Sequence, residues 1–186
     1  MTGEMEENAW VLDFMPEGKA IEREREPLAQ VIGDKYFTLL EVSVKPGTKL
    51  AIEQKVHIGK ENRVEVEKIK RRIEFNDLSA GARSELNTVL KKIIAEREQD
   101  FVAFFNKCGP VSIRLHQLDL LPGIGKKHML EILDQREVKP FASFKDIQER
   151  VSLMPEPGHV LVTRITEELD GRSQHYIFVK PPFKKF

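Results

Sequence analysis

A chain of 186 residues, 40% of them apolar and 32% charged, can bury a real core as one large domain or two small ones, and it reads as globular. Thirty Lys and Arg balance thirty Asp and Glu, so no overall field draws the protein onto nucleic acid, and any attraction for a polyanion must be local. The single cysteine, Cys108, excludes an internal disulfide and a cysteine-built zinc site; with an acidic start and no apolar run near the ~20 residues of a membrane span, the expected setting is cytoplasmic, with no membrane partner.

The charge is unevenly spread. The start is acid-rich (Glu4, Glu6, Glu7, then Glu22, Glu24, Glu26), whereas after Gly171 come Arg172, Lys180, Lys184 and Lys185 with no acid, a candidate second contact. Trp10 to Phe14 reads as a strand, stopped by Met15-Pro16-Glu17-Gly18. Leu28 to Ile32, a Gly33-Asp34 turn and Tyr36 to Val44 give the clearest β signal, and Leu50 to Ile58 continues in extended form. Val64, Val66, Ile73 and Phe75 mark a last long strand, in which a phase shift near Lys68 to Ile69 predicts a bulge. These strands, in the first 78 residues, predict a small closed barrel, OB-like in the first place and SH3-like in the second. The cluster Lys68, Lys70, Arg71 and Arg72 is the densest basic patch and a candidate nucleic-acid contact or a solvated strand edge.

At Asn76-Asp77-Leu78-Ser79 the period changes to helical, with Ser79 the N-cap, Leu78, Ala82, Leu86, Val89 or Leu90, Ile93 or Ile94, Phe101, Phe104 and Phe105 on a core stripe, and Asp100 marking a break; Gly109-Pro110 ends the run. Ser112 to Leu120 reads as a first hairpin helix with Arg114 on its polar side, and Lys126 to Arg136 as a second. Between them stands Leu121-Pro122-Gly123-Ile124-Gly125-Lys126-Lys127. Pro122 fixes the turn, Gly123 and Gly125 permit geometry that a Cβ would block, and Ile124 turns an apolar side chain inward. The amides of the turn and of the following helix start are then bare donors at the positive end of a dipole, suited to phosphate, and Lys126 and Lys127 add charge. The pattern resembles a helix-hairpin-helix, the nucleic-acid-backbone grip of repair nucleases, ligases and recombination proteins.

Sliding the sequence by thirty-three residues lays Leu153 to Gly158 over Leu120 to Gly125, which predicts a second, degenerate hairpin whose Glu156 repels phosphate. Ser143 is expected to cap its first helix with Asp146. A helix to Leu169 stops at Asp170-Gly171, and His175 to Lys180 reads as a C-terminal strand seeking a barrel edge. The expected architecture is α+β, with an N-terminal OB-like β-barrel over 1–78, a connecting helical segment over 79–109, and a helix-hairpin-helix domain with a C-terminal strand over 110–186.

With these elements in order, the chain resembles a family of uncharacterised archaeal proteins, the domain of unknown function numbered 655. The likeness rests on the Tyr36 to Val44 strand, Lys55 to Lys60, Glu98 to Asn106, Arg114 to Lys127, Phe141 to Ile147 and Arg164 to Leu169. It implies an OB-like fold joined to a hairpin module and a nucleic-acid-binding role, with no activity, catalytic residue or cofactor to carry over.

Lys127 and Asp146 could be cast as the nucleophile and carboxylate of a hairpin-containing glycosylase, but Asp146 sits in a helix cap and the β-rich first half does not belong to that class. The five histidines lack metal-ligand spacing, and no nucleotide loop or nucleophile elbow is present. The expectation is therefore a non-catalytic protein, without metal or cofactor, that binds RNA or DNA with little sequence readout, against the alternative of a protein-interaction adaptor.

Overall fold

The computed structural model describes residues 5–20 and 25–181, which divide into two units, 1–89 with 168–186 and 90–167. The boundary therefore falls inside the first long helix, and the C-terminal stretch groups with the β-rich unit.

In the first unit, β1 (Asn8–Met15), β2 (Leu28–Gly33), β3 (Leu39–Val44), β4 (Lys55–His57) and β5 (Val66–Arg72) form one curled antiparallel sheet in the order β4-β1-β2-β3-β5. Both late strands cross over, β4 to pair with β1 and β5 with β3, and no ladder joins β4 to β5 among the described residues. The expected barrel is thus a half-barrel. Bulges bend it. Leu12 has no opposite residue in β2, and in β5 the register skips Glu67 and Lys70, on either side of the predicted Lys68 to Ile69 phase shift. The concave side is filled by Ala9, Val11, Ala29, Val31, Val42, Val44, Val56 and Val66 among others, small and β-branched residues that suit a tightly curved interior. β2 and β3 are buried along their whole length, so they lack the alternation of a half-exposed strand.

Gln30, on the opposite face, is 1% exposed and fully used: its amide nitrogen donates to the Asp77 carbonyl at 3.0 Å and its oxygen accepts from the Ser79 amide at 2.8 Å. Ser79 caps α1 (Ala80–Glu96) as expected, its Oγ accepting from the Ala82 amide at 3.0 Å. Buried Glu41 has burial pushing its pKa up, but Lys19, Arg71 and Gln30 outweigh that and hold it below the usual range.

Glu6 is 5% exposed, and its carboxylate accepts from the amides of Lys35, Tyr36 and Thr38 at 3.0–3.1 Å, which fixes the β2–β3 turn. Gly33 makes room for it, because a Cβ there would stand 2.0 Å from the Glu6 carboxyl carbon. Glu168, 1% exposed, does the same for the C-terminal stretch, accepting from the amides of Ile177, Phe178 and Val179 at 2.8–3.0 Å. This corrects the expected C-terminal strand. No strand forms there: three successive amides point at one carboxylate, which leaves none of them for a ladder, and the Lys180 amide donates to the Tyr36 carbonyl.

In the second unit, Arg97 separates α1 from α2 (Glu98–Lys107), and Asp100 takes an Arg97 hydrogen bond at 2.9 Å. A two-stranded ribbon, β6 (Pro110–Ser112) and β7 (Leu115–His116), follows, then a 3-10 turn over Gln117–Leu120, α3 (Lys126–Val138), α4 (Phe144–Arg150) and α5 (Pro157–Leu169). Arg136 ties α3 to the end of α2 through the Phe105 and Cys108 carbonyls, and Asn106 exchanges two hydrogen bonds with the Phe141 backbone.

Removing the Glu6 carboxylate takes the acceptor from three amides, of which that of Thr38 is buried and the other two partly so. Glu6→Ala is expected to lower the unfolding free energy by about 3 kcal/mol, and Gly33→Ala comparably; urea titration followed by Trp10 fluorescence measures both, and a loss below half of that removes Glu6 as the organiser of this turn.

Candidate nucleic-acid interface

The turn before α3 is built by residues with separate tasks. Leu121 and Ile124 are 2% and 6% exposed, and the Ile124 amide closes the turn onto the Leu121 carbonyl at 3.1 Å. Gly123 between them stands at φ +80, where a side chain would be strained. Gly125 is the N-cap of α3 and offers no side-chain acceptor. The first helical bond is donated by Met129 to the Gly125 carbonyl, so the amides of Gly125, Lys126, Lys127 and His128 find no acceptor among the described residues. Gly123, Gly125, Lys126 and Lys127 are exposed, and buried Arg164 steadies the approach by donating to the Leu120 carbonyl at 3.1 Å.

The segment leading in differs from the helix expected over 112–120. Gly109 and Pro110 release the chain into the β6–β7 ribbon, and only the last turn is helical. His116 caps it, its Nδ1 accepting from the Leu118 amide at 3.1 Å while Asp119 returns a bond to the His116 amide at 2.8 Å. That reciprocal pair favours a short 3-10 turn over a longer helix. Arg114 consequently sits at the exposed ribbon tip beside Ile113, not on a helix face.

A turn of the same build recurs at a spacing of thirty residues, not the thirty-three that the sequence suggests. Val151 and Met154 correspond to Leu121 and Ile124 in burial and in the closing amide-to-carbonyl bond, and Leu153, at φ +55, takes the place of Gly123. Glu156 therefore stands where Gly125 stands, one residue being added by Pro155. Its carboxylate accepts from the Gly158 and His159 amides at 2.9 and 2.6 Å. Pro155 and Pro157 have no amide to offer, and Glu131 on α3 accepts from the amide and hydroxyl of Ser152, which with nearby Lys127 and His128 holds its pKa low. Among the described residues, the turn before α3 presents open amides beside two lysines, whereas the turn before α5 is engaged by Glu156 and by Glu131 of α3.

Ser143 caps α4 by accepting from the Asp146 amide at 3.0 Å, while the Asp146 carboxylate reaches back to the Ala142 amide and to Arg150, the work of a helix start. A family model described as a protein of unknown function (DUF655) matches residues 5–180. The chain belongs to the DUF655 family. It is 40% identical over 177 residues to the uncharacterized protein MJ0038 of Methanocaldococcus jannaschii, a match covering 94% of this chain and 80% of that relative. The crystal structure of the DUF655 protein Af1531 from Archaeoglobus fulgidus is similar with a TM-score of 0.87 at 43% identity, over 94% of this chain and 100% of that one. The half-barrel followed by helices is thus a DUF655 fold.

Elsewhere in this DUF655 chain the basic cluster on β5 has internal partners. Lys70 pairs with Glu26 at 2.7 Å, Arg71 with Glu41 and Asp77, and Arg72 donates to the Lys180 and Pro181 carbonyls; Lys68 is exposed. Of the basic tail, Lys184 and Lys185 lie outside the described residues. No group of three metal-ligating side chains forms among the described residues, and no helix there is long and apolar enough to cross a membrane. Sequence reasoning missed Glu131, Ser152 and Arg164, whose roles depend on contacts between hairpins that no local pattern encodes.

Burial, reinforced by Arg136 and only partly offset by Asp119, lowers the His116 pKa, consistent with a neutral ring whose Nδ1 accepts. The unfolded chain then binds a proton more readily than the folded one, so this contribution to stability is full above about pH 6.5 and is lost as pH falls toward the folded value. His116→Asn, which keeps a cap acceptor that does not titrate, is expected to reduce the drop in melting temperature between about pH 6.5 and 5; an unchanged pH profile would remove His116 as the titrating cap.

Proposed function

We propose that the protein is a non-catalytic nucleic-acid-binding protein that grips a phosphodiester backbone at the turn Pro122-Gly123-Ile124-Gly125 and the start of α3. The observation that carries this is the contrast between the two hairpins. A helix start in water attracts an anion, and among the described residues one is supplied internally at α5, through Glu156, but none at α3. The exposed side chains following the open amides are Lys126 and Lys127, so a phosphate held there meets charge as well as donors. Amide-to-phosphate contact carries no base information, which makes binding largely indifferent to sequence and open to RNA or DNA. With the lysines the site offers roughly two to three phosphate contacts, and so a shallow dependence on salt.

A second reading has its own support. Val111, Ile113, Leu130, Val138 and Leu153, all in the second unit, are 41–105% exposed, and a protein partner seated on them would make the unit an adaptor. Salt and substitution separate the two.

Gly125→Glu copies the Glu156 arrangement at the matched position, and it fits: φ is −85 and nothing lies within 4 Å of a Cβ there. The variant is expected to keep the native circular dichroism and melting temperature while losing at least about tenfold in affinity for single- or double-stranded oligonucleotides by fluorescence anisotropy, with Lys126→Ala/Lys127→Ala behaving alike. Undiminished affinity in both variants would rule out the open hairpin as the grip.

A further inference from the structure

The first unit carries a cleft of about 480 Å³ that the hairpin reading does not use. Phe37, Phe75, Tyr176 and Val179 form much of its wall, and Arg72 and Asn76 bring donors to it. Phe37, on the lining, is held at φ +54 and is 1% exposed, a left-handed conformation that disfavours a bulky residue by about 1–2 kcal/mol. The acids on the lining have protein partners. Asp170 pairs with Arg172, Glu168 holds its three amides, and Glu74 takes part in capping the 3-10 turn at Phe75–Asp77.

Arg72 differs. It is half-buried, burial lowers its pKa with only partial compensation from Glu6 and Tyr176, and among the described residues it meets two backbone carbonyls and no carboxylate. A guanidinium has five N–H donors in a planar fork, so donors remain for a ligand in the cleft. Such a ligand must be flat enough for aromatic walls, apolar on its faces and rich in acceptors along one edge. A bare phosphate has no apolar faces, and an aliphatic side chain has no acceptor edge.

We propose that this cleft is a second binding site, which takes the base of an unpaired nucleotide, with its faces against Phe75 and Tyr176 and its acceptor edge toward Arg72 and Asn76. Guanine, whose O6 and N7 match a guanidinium fork, is the preferred base. Unpaired bases are read in this manner, by stacking on aromatic side chains and hydrogen bonding at their edges, and a cleft of this size has room for a base with its sugar. The site rests on its own lining and stands or falls independently of the hairpin.

The full chain is titrated with GMP, with UMP, and with a single-stranded hexanucleotide of uridines carrying one guanosine, followed by amide chemical shifts and calorimetry. GMP is expected to shift the resonances of Asn76, Tyr176 and Val179 and to bind more tightly than UMP. Tyr176→Leu, which keeps apolar bulk, should weaken GMP about tenfold, the loss of one aromatic stack, whereas in Lys126→Ala/Lys127→Ala GMP should still shift Asn76, Tyr176 and Val179. Tighter binding of the hexanucleotide than of GMP assigns the cleft to a strand; GMP alone binding assigns it to a free nucleotide. No shift at those residues, an unaffected Tyr176→Leu, or loss of GMP binding in the double-lysine variant would each overturn the proposal, the last by placing the ligand on the hairpin.

Discussion

Main-chain N–H groups that lack a ladder or a helix partner must find an acceptor, and in this protein the acceptor is repeatedly a glutamate. Glu6 gathers three amides at the β2–β3 turn, Glu168 three in the C-terminal stretch, and Glu156 two at the start of α5. Each places a fixed negative charge on a concavity of donors, the arrangement that elsewhere holds phosphate or sulfate. Against that background the start of α3 stands apart, since its N-cap is a glycine and its first-turn side chains are cationic. The same donor geometry, left without an internal acid, is what a ligand with anionic oxygens can complete.

This also reconciles the balanced composition with the proposed partner. A protein with equal numbers of acids and bases can bind a polyanion only if its acids are turned inward or away from the contact. Here several are. Glu41 is closed off by Lys19 and Arg71, and Glu131, although it lies on α3 near Lys127 and His128, is engaged by Ser152. The lysines at the open turn therefore act over a short range without a global field, which fits a weak grip that distinguishes backbones poorly.

Much of this was legible in the sequence wherever one residue type dictates one local geometry. Ser79 and Ser143 announce their helices because a hydroxyl before a helical stripe has a definite donor to satisfy, and the phase shift at Lys68 to Ile69 betrays a bulged strand because a period-two pattern cannot slip unnoticed. Gly123 and Ile124 mark their turn for the same reason. What misled were stretches whose geometry is decided by a distant partner. His175 to Lys180 has strand composition, yet Glu168 claims its amides; Ser112 to Leu120 has helical spacing, yet His116 and Asp119 tighten it into a single turn. The thirty-three-residue offset follows matching prolines and glycines, whereas backbone conformation pairs Gly123 with Leu153 at thirty. The basic run on β5 reads as a surface patch because two of its partners, Glu26 and Glu41, lie far from it along the chain.

Arginine mirrors the glutamates. Arg136, Arg150 and Arg164 donate to main-chain carbonyls at the ends of helical segments, which is where helices leave acceptors unpaired. Arg150 also reaches Asp146, and Arg164 has Glu167 at 4.0 Å, so those two charges are compensated nearby. Arg72 donates to two carbonyls and has no carboxylate in hydrogen-bond range among the described residues, so Glu6 acts on it only at longer range. The cleft it faces carries Phe75 and Tyr176, and aromatic rings stabilise a cation weakly and a stacked heterocycle well. Among the described residues, backbone amides in the second unit and a guanidinium in the first thus keep donors open, and the difference in their surroundings is what separates the proposed grip for phosphate oxygens from the proposed slot for a base.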